Sequence, residues 1–186
     1  KGDPKIVDTD EEPSRGMPEK FPKLRPAFQK DGTVTAANAS SINDGAAACV
    51  LISGQKAKEL GLKPEFKIVG HGSAAHAPEW FTTAPAKAMK KVFAKTGLTF
   101  ENIDLFEINE AFSAVTMAAV KEFELDSEKV NVNGGAVSLG HPIGASGSRI
   151  LVTLMNAMTK KNLSKGMASI CIGGGEASAM IIEKLK

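Results

Sequence analysis

Three polar side chains in this sequence each follow an apolar run and each opens a turn. Asn109 follows Ile103-Asp104-Leu105-Phe106-Glu107-Ile108. His141 sits inside the glycine-rich stretch from Asn133 to Arg149, behind the short run Lys129-Val130-Asn131-Val132. Cys171 closes the run that begins at Met167 and is followed after Ile172 by Gly173-Gly174-Gly175. A carboxamide, an imidazole and a thiol make a usable set. A thiol beside an imidazole acts as a nucleophile or as an acid/base. The backbone N–H groups of a glycine turn can hold an oxyanion, and a carboxamide can fix a water or polarise a carbonyl. Together they suit carbonyl chemistry at a thioester: acyl transfer, or enolate formation next to the carbonyl.

The elements that must bring these groups together are readable from periodicity. The three runs named above are expected as strands. Ile150, Leu151, Leu154, Met155 and Met158 recur at helical spacing behind the glycine-rich turn. Pro142 biases His141 toward extended backbone, which aims the ring. Phe66 to Val69, continued by small residues to His76, opens a further strand. Pro85, Met89, Val92, Phe93 and Gly97 mark a helix, and Phe112, Val115, Ala119 and Phe123 mark one face of another. Met167 to Ile172 and Ala177 to Ile182 form a hairpin across the three glycines. From residue 66 the predicted order is β-α-β-α-β-α-β-β, an α/β fold with helices layered on a mixed sheet. Ligands of such sheets gather beyond the carboxyl ends of strands, where Asn109, His141 and Cys171 would converge.

The first 65 residues are less regular. Residues 1–32 are polar and proline-punctuated, a loop with at most one short strand near Lys5 to Val7. Small residues dominate from Gly32 to Gly45. Ala46 to Ile52 reads as a buried strand with Cys49 as a small core residue, and Ser53 as the N-cap of a short helix ending at Gly61. His71 and His76 read as structural or surface residues, and Trp80, Phe81 and Met89 as core or pocket lining. The sequence opens on Lys1 in a polar loop without an initiator methionine, which reads as a cut rather than a natural start.

The totals exclude several functions. A content of 42% hydrophobic and 24% charged residues is that of a soluble globular chain. A net charge of +2 with 5% aromatics and no tyrosine argues against a nucleic-acid surface. No apolar run reaches membrane-span length. The glycines at 134, 135, 140, 144 and 147 do not follow the dinucleotide fingerprint and end in no phosphate-binding Lys-Ser/Thr, so no redox cofactor is expected. Three histidines and two cysteines lack zinc-ligand spacing.

Asn109-Glu110-Ala111-Phe112, Gly140-His141-Pro142-Ile143-Gly144-Ala145-Ser146-Gly147 and Cys171-Ile172-Gly173-Gly174-Gly175 resemble, in order and separation, the three C-terminal motifs of thiolases. The resemblance spans the chain but only the C-terminal half of a thiolase. Phe28-Gln29-Lys30, the segment Thr33 to Ser40 and Asn133 to Gly140 are most similar to the short-chain acetyl-CoA acetyltransferase branch, especially its mitochondrial type. Ser41 stands where the wider family often has glycine, and the segment Phe81 to Pro85 where many bacterial members have methionine-glycine.

What the resemblance implies is specific. The fold would be thiolase-like, with residues 1–40 the tail of the loop domain, 41–65 the closing strand and helix of the N-terminal domain, and 66–186 the C-terminal domain. The reaction would be the Claisen condensation of two acetyl-CoA to acetoacetyl-CoA and CoA, with thiolysis in reverse. His141 would activate the nucleophilic cysteine and help hold the thioester oxygen. Asn109 would position a water in that oxyanion hole, Cys171 would move the α-carbon proton, and the Gly173 amide would serve a second oxyanion hole. Ala39 and Ser40 would touch the pantetheine of coenzyme A, and Arg15 and Lys20 its nucleotide end. In a potassium-activated branch the carbonyls of Ala36, Ala37, Ala39 and Val137 would hold K⁺. The nucleophile itself would lie in an N-terminal half that this chain lacks, so the chain alone is expected to be inactive. Partners would be that half and further copies in a homodimer or homotetramer. The compartment would be the cytoplasm or, second, the mitochondrial matrix. A broader-chain 3-ketoacyl-CoA thiolase and a non-catalytic coenzyme A-binding module with this fold are the alternatives.

Overall fold

The computed structural model describes residues 2–185, without the side chains of Pro13 and Arg15. The N-terminal third holds little regular structure: α1 (Glu12–Arg15), a 3₁₀ turn at Pro18–Lys23 and α2 (Gly54–Glu59). Ser53 caps α2 as predicted, its hydroxyl accepting from the Lys56 N–H at 3.1 Å. No strand forms near Lys5, and Ile6 and Val7 are exposed.

The expected buried strand from Ala46 to Ile52 is also corrected. No strand forms there, Val50 is 96% exposed, and Cys49 is exposed rather than a core residue. Composition gives this segment the apolar character of a strand, but a strand exists only where a neighbour takes its hydrogen bonds and a layer covers its face. No described residue supplies either.

From residue 66 the layered prediction holds. The sheet contains β1 (Phe66–Ala75), β2 (Leu105–Ile108), β3 (Lys165–Ile172) and β4 (Glu176–Lys184), in the order β1-β4-β3-β2. β2 and β3 are parallel, and the β3–β4 and β1–β4 pairs are antiparallel. The β3–β4 hairpin turns through Gly173-Gly174-Gly175 as expected.

Helices cover both faces. On one, α3 (Ala84–Thr96) and α4 (Ser113–Phe123) place Met89, Val92, Val115 and Ala119 against Phe106, Ile108, Met167 and Ile181. On the other, α6 (Ser146–Lys161) presents Ile150, Leu154, Ala157 and Met158 to Leu105, Ala168 and Ile182. Full burial of side chains such as Met89, Leu154 and Met158 stabilises by roughly 1.5–3 kcal/mol each. Of the aromatic pair expected to line a pocket, Phe81 packs on Phe112 while Trp80 is 61% exposed.

The third predicted strand, Lys129 to Val132, is reduced to one bridge between Val130 and Phe106. A 3₁₀ turn precedes it, and Asn131 takes the left-handed conformation (φ 48°), which cannot continue a strand. The glycine-rich stretch then forms the single turn α5 (Ala136–Leu139) before the His141 loop.

Candidate active site

Strand register brings the first and third polar groups to one end of the sheet. Ile108 pairs with Ser169 across the parallel ladder, and the Asn109 N–H continues it to the Ser169 carbonyl at 2.9 Å. Cys171 lies two residues beyond Ser169 on the same strand. His76, at the end of β1, donates its N–H to the Gly175 carbonyl at 3.0 Å, tying the glycine turn down at the same end. His76 is half-buried, and its Nε2 is buried with no hydrogen-bond partner among the described residues.

Residues of β2 alternate between the two core clusters. Phe106 and Ile108 face α3 and α4, so Glu107 and Asn109 point toward α6. There Asn109 Nδ2 meets His141 Nε2 at 3.2 Å. The opposite ring nitrogen, Nδ1, lies 2.6 Å from Ser146 Oγ at the start of α6. Backbone contacts fix the His141 loop: its N–H donates to the Ser41 carbonyl at 2.9 Å, with Asn43 Oδ1 at 3.3 Å. Gly140 makes this possible. Its φ is 92°, and a Cβ there would collide with the Asn43 carboxamide.

A second set of contacts locks the Asn109 turn to its surroundings. The Glu110 carboxylate accepts from Asn131 Nδ2 and from the Val137 N–H, both at 3.2 Å. The Ser113 N–H donates to the Asn38 carbonyl at 2.9 Å. The Ser40 N–H and hydroxyl both donate to the Ala111 carbonyl, at 3.1 and 2.9 Å. So the segment from Ala36 to Asn43 runs past the Asn109 turn and then past His141.

Electrostatics sets two of the three candidate groups, His141 and Cys171, apart. Burial, then the Arg149 cation, holds the His141 imidazole below its ordinary value, so it is neutral at neutral pH. Burial pushes the Cys171 thiol up and keeps its proton on. His141 is thus ready to accept a proton and Cys171 to give one. Beneath them Glu107 is 2% exposed. Its pKa is pushed up to about 7 by burial, against the pull of Arg149 and with a push from Glu110.

Of the predicted set, Asn109 and His141 meet directly. Cys171 and Gly173 reach the same end of the sheet on β3 and its turn, and among the described residues no hydrogen bond joins Cys171 to the pair. Ala39 and Ser40 lie along the Asn109 turn, and Lys20 is exposed on its 3₁₀ turn. The Arg15 side chain lies outside those described. Sequence reading assigned no role to Glu107, Arg149, Ser146 or Asn131. One signal was present: Glu107 is a lone charge inside the apolar run Leu105-Phe106-Glu107-Ile108, and a buried charge requires a partner.

The fold that carries these groups is that of the thiolases, and the chain belongs to that family. The thiolase N-terminal domain profile matches residues 1–55 and the thiolase C-terminal domain profile residues 62–184. Within the family, acetyl-CoA acetyltransferase 2 of Arabidopsis thaliana is 55% identical over 97% of this chain and 45% of its own length. The Acat5 thiolase of Ascaris suum, solved in complex with coenzyme A, superposes with a TM-score of 0.90 at 55% identity, covering 96% of this chain and 47% of that one. Human mitochondrial 3-ketoacyl-CoA thiolase superposes at 0.83 with 36% identity, covering 92% and 44%. The chain spans about half the length of the curated relatives it matches.

Proposed function

We propose that this chain carries the acid/base half of an acetyl-CoA C-acetyltransferase. That enzyme joins two acetyl-CoA into acetoacetyl-CoA and CoA, and cleaves acetoacetyl-CoA with CoA in reverse. The observation that carries the reading is the Asn109–His141 hydrogen bond at the end of the sheet where β3 carries the protonated Cys171. The higher identity to acetyl-CoA acetyltransferases than to the 3-ketoacyl-CoA thiolase favours short-chain substrates over the broader-chain reaction.

In this reading the neutral His141 takes the proton of a cysteine nucleophile supplied from outside this chain. With Asn109 and a water, it then holds the thioester oxygen of the enolising acetyl group. Cys171 exchanges a proton with the α-carbon, and the Gly173 amide faces the acyl-enzyme carbonyl. Ala39 and Ser40 line the pantetheine path, and Lys20 and Arg15 meet the nucleotide end of coenzyme A. Relatives about twice as long motivate a nucleophile-bearing half as the necessary partner, within a homodimer or homotetramer. The location proposed is the cytoplasm, where a working thiol stays reduced.

K⁺ is a further proposal. The carbonyls of Ala36, Ala37, Ala39 and Val137 are oxygen donors of the kind a hard cation takes. Ala39 lies beside Phe112, and the Val137 N–H binds Glu110, so both segments border the same turn. Such an ion would add fixed positive charge beside the coenzyme A path.

The experiment is thiolysis of acetoacetyl-CoA on adding CoA, compared with a long-chain 3-ketoacyl-CoA, in the enzyme carrying this chain. Preference for the short substrate is expected. Equal or better use of the long one would assign the broader-chain activity, and coenzyme A binding without any turnover would make this a binding module.

A further inference from the structure

The polarity of the hydrogen bonds around His141 is fixed by groups that have no choice. A guanidinium only donates. Arg149 Nη2 lies 3.4 Å from Asn109 Oδ1, so the carboxamide turns its oxygen to Arg149 and its NH₂ to the ring. His141 Nε2 must then be the acceptor. The other nitrogen agrees independently. A carbonyl only accepts, and Ser146 Oγ donates to the Pro142 carbonyl at 3.0 Å. Ser146 Oγ therefore accepts a hydrogen bond from the His141 Nδ1–H, 2.6 Å away. Both sides of the ring demand the same form: proton on Nδ1, lone pair on Nε2.

Arg149 is itself seated from below. Its Nη1 lies 3.8 Å from Glu107 Oε2, and its side chain is 19% exposed against 2% for Glu107. Glu107 rises from β2 and Arg149 from α6, while Glu110 approaches from the Asn109 turn. Among the described residues no hydrogen bond joins Glu107 or Arg149 to His141, and the glutamate lies two residues before Asn109 on the same face of the strand.

We propose that Arg149, seated on Glu107, is a positioning residue that holds the Asn109 carboxamide with its NH₂ toward His141 and so keeps the imidazole proton on Nδ1. Its consequence for turnover rests on the acyl-transfer reading, because only there does the unprotonated Nε2, on giving up its bond from the Asn109 NH₂, receive the nucleophile's proton. The tautomer does not depend on that reading.

The test is ¹⁵N NMR of histidine-labelled complete enzyme, in which protonated and bare ring nitrogens are widely separated. Wild-type His141 is expected with its proton on Nδ1. In Arg149→Met the carboxamide is free to turn, and the proton moves toward Nε2. With it kcat falls by roughly tenfold to hundredfold while KM for coenzyme A stays within about twofold. Arg149→Lys, which restores a donor, recovers most of both. Should Arg149→Met fail to fold, Asn109→Asp is the alternative. It presents an oxygen to the ring, so Nε2 takes a proton and His141 becomes an imidazolium at neutral pH. A wild-type proton on Nε2, or an unmoved tautomer in folded Arg149→Met, overturns the proposal, as does a bare Nε2 in Asn109→Asp. The expected tautomers in an enzyme without turnover would sustain the positioning role and sink the acyl-transfer reading instead.

Discussion

Asn131 grips Ile108 through both main-chain groups: its Oδ1 accepts from the Ile108 N–H at 2.8 Å, and its Nδ2 donates to the Ile108 carbonyl at 2.9 Å. One carboxamide thus replaces the edge neighbour that β2 lacks beyond Phe106, at the residue before Asn109. Asn131→Ala would leave the Ile108 N–H without its partner and its carbonyl with only the Thr116 hydroxyl, 3.2 Å away, in a part-buried place. A loss of about 2 kcal/mol is expected, read as a lower denaturation midpoint. The Asn109 turn should loosen too, so kcat should fall more than KM rises. An unchanged midpoint would mean that water satisfies Ile108 equally well.

Glu107 makes stability depend on pH. Its ordinary value is 4.5 and burial raises it to about 7 in the folded protein, so the native state binds the extra proton between those values. The contribution is full below about pH 4.5 and is lost as the pH rises through about 7. At about 1.4 kcal/mol per unit, the whole effect is about 3 kcal/mol. Denaturant midpoints between about pH 5 and about pH 8 should fall in the wild type, and fall distinctly less in Glu107→Gln. Parallel curves for the two proteins would show that another group carries the slope.

Gly140→Ala strains the backbone just before the His141 ring. The residue holds φ 92° against the Asn43 carboxamide. The side chain costs about 1–3 kcal/mol in that conformation, and Asn43 must also move. Because Asn43 contacts the His141 N–H, the expected result is a lower melting temperature together with loss of activity. Gly144→Ala, in open space, is the matched control and should change little. Equal effects at both positions would remove the argument from Gly140.

Much of this site was legible because its parts are local. A strand followed by a turn announces itself in sequence, and Asn109 and Cys171 sit at such junctions, whereas His141 follows the single turn α5 and Gly140. The Gly97 cap of α3 and the Ser53 cap of α2 were legible for the same reason. The misses depended on neighbours. Ala46 to Ile52 has the composition of a strand, yet nothing described beside it offers a ladder. Lys129 to Val132 has the right residues, but the Asn131 side chain takes over the pairing that a strand would have made. Arg149 was visible inside the glycine-rich stretch, and Glu107 inside an apolar run. That they meet is a property of β2 lying on α6, and spacing in sequence does not encode it.

In the proposed reaction, Cys171 would separate proton transfer from acyl transfer. Its thiol is buried at the end of β3 and keeps its proton because burial raises its pKa, so it should serve the α-carbon and not the nucleophile's role. In the complete enzyme, Cys171→Ala should still accept an acetyl group from acetyl-CoA. Deuterium exchange at the acetyl α-carbon should fall by roughly a hundredfold to ten-thousandfold, the usual worth of a positioned acid/base. Condensation and thiolysis should fall with it. Cys171→Ser keeps the shape but holds its proton too tightly, and should behave like the alanine variant. If exchange survives in Cys171→Ala while acylation is lost, the roles are reversed, and the nucleophile lies in this chain after all.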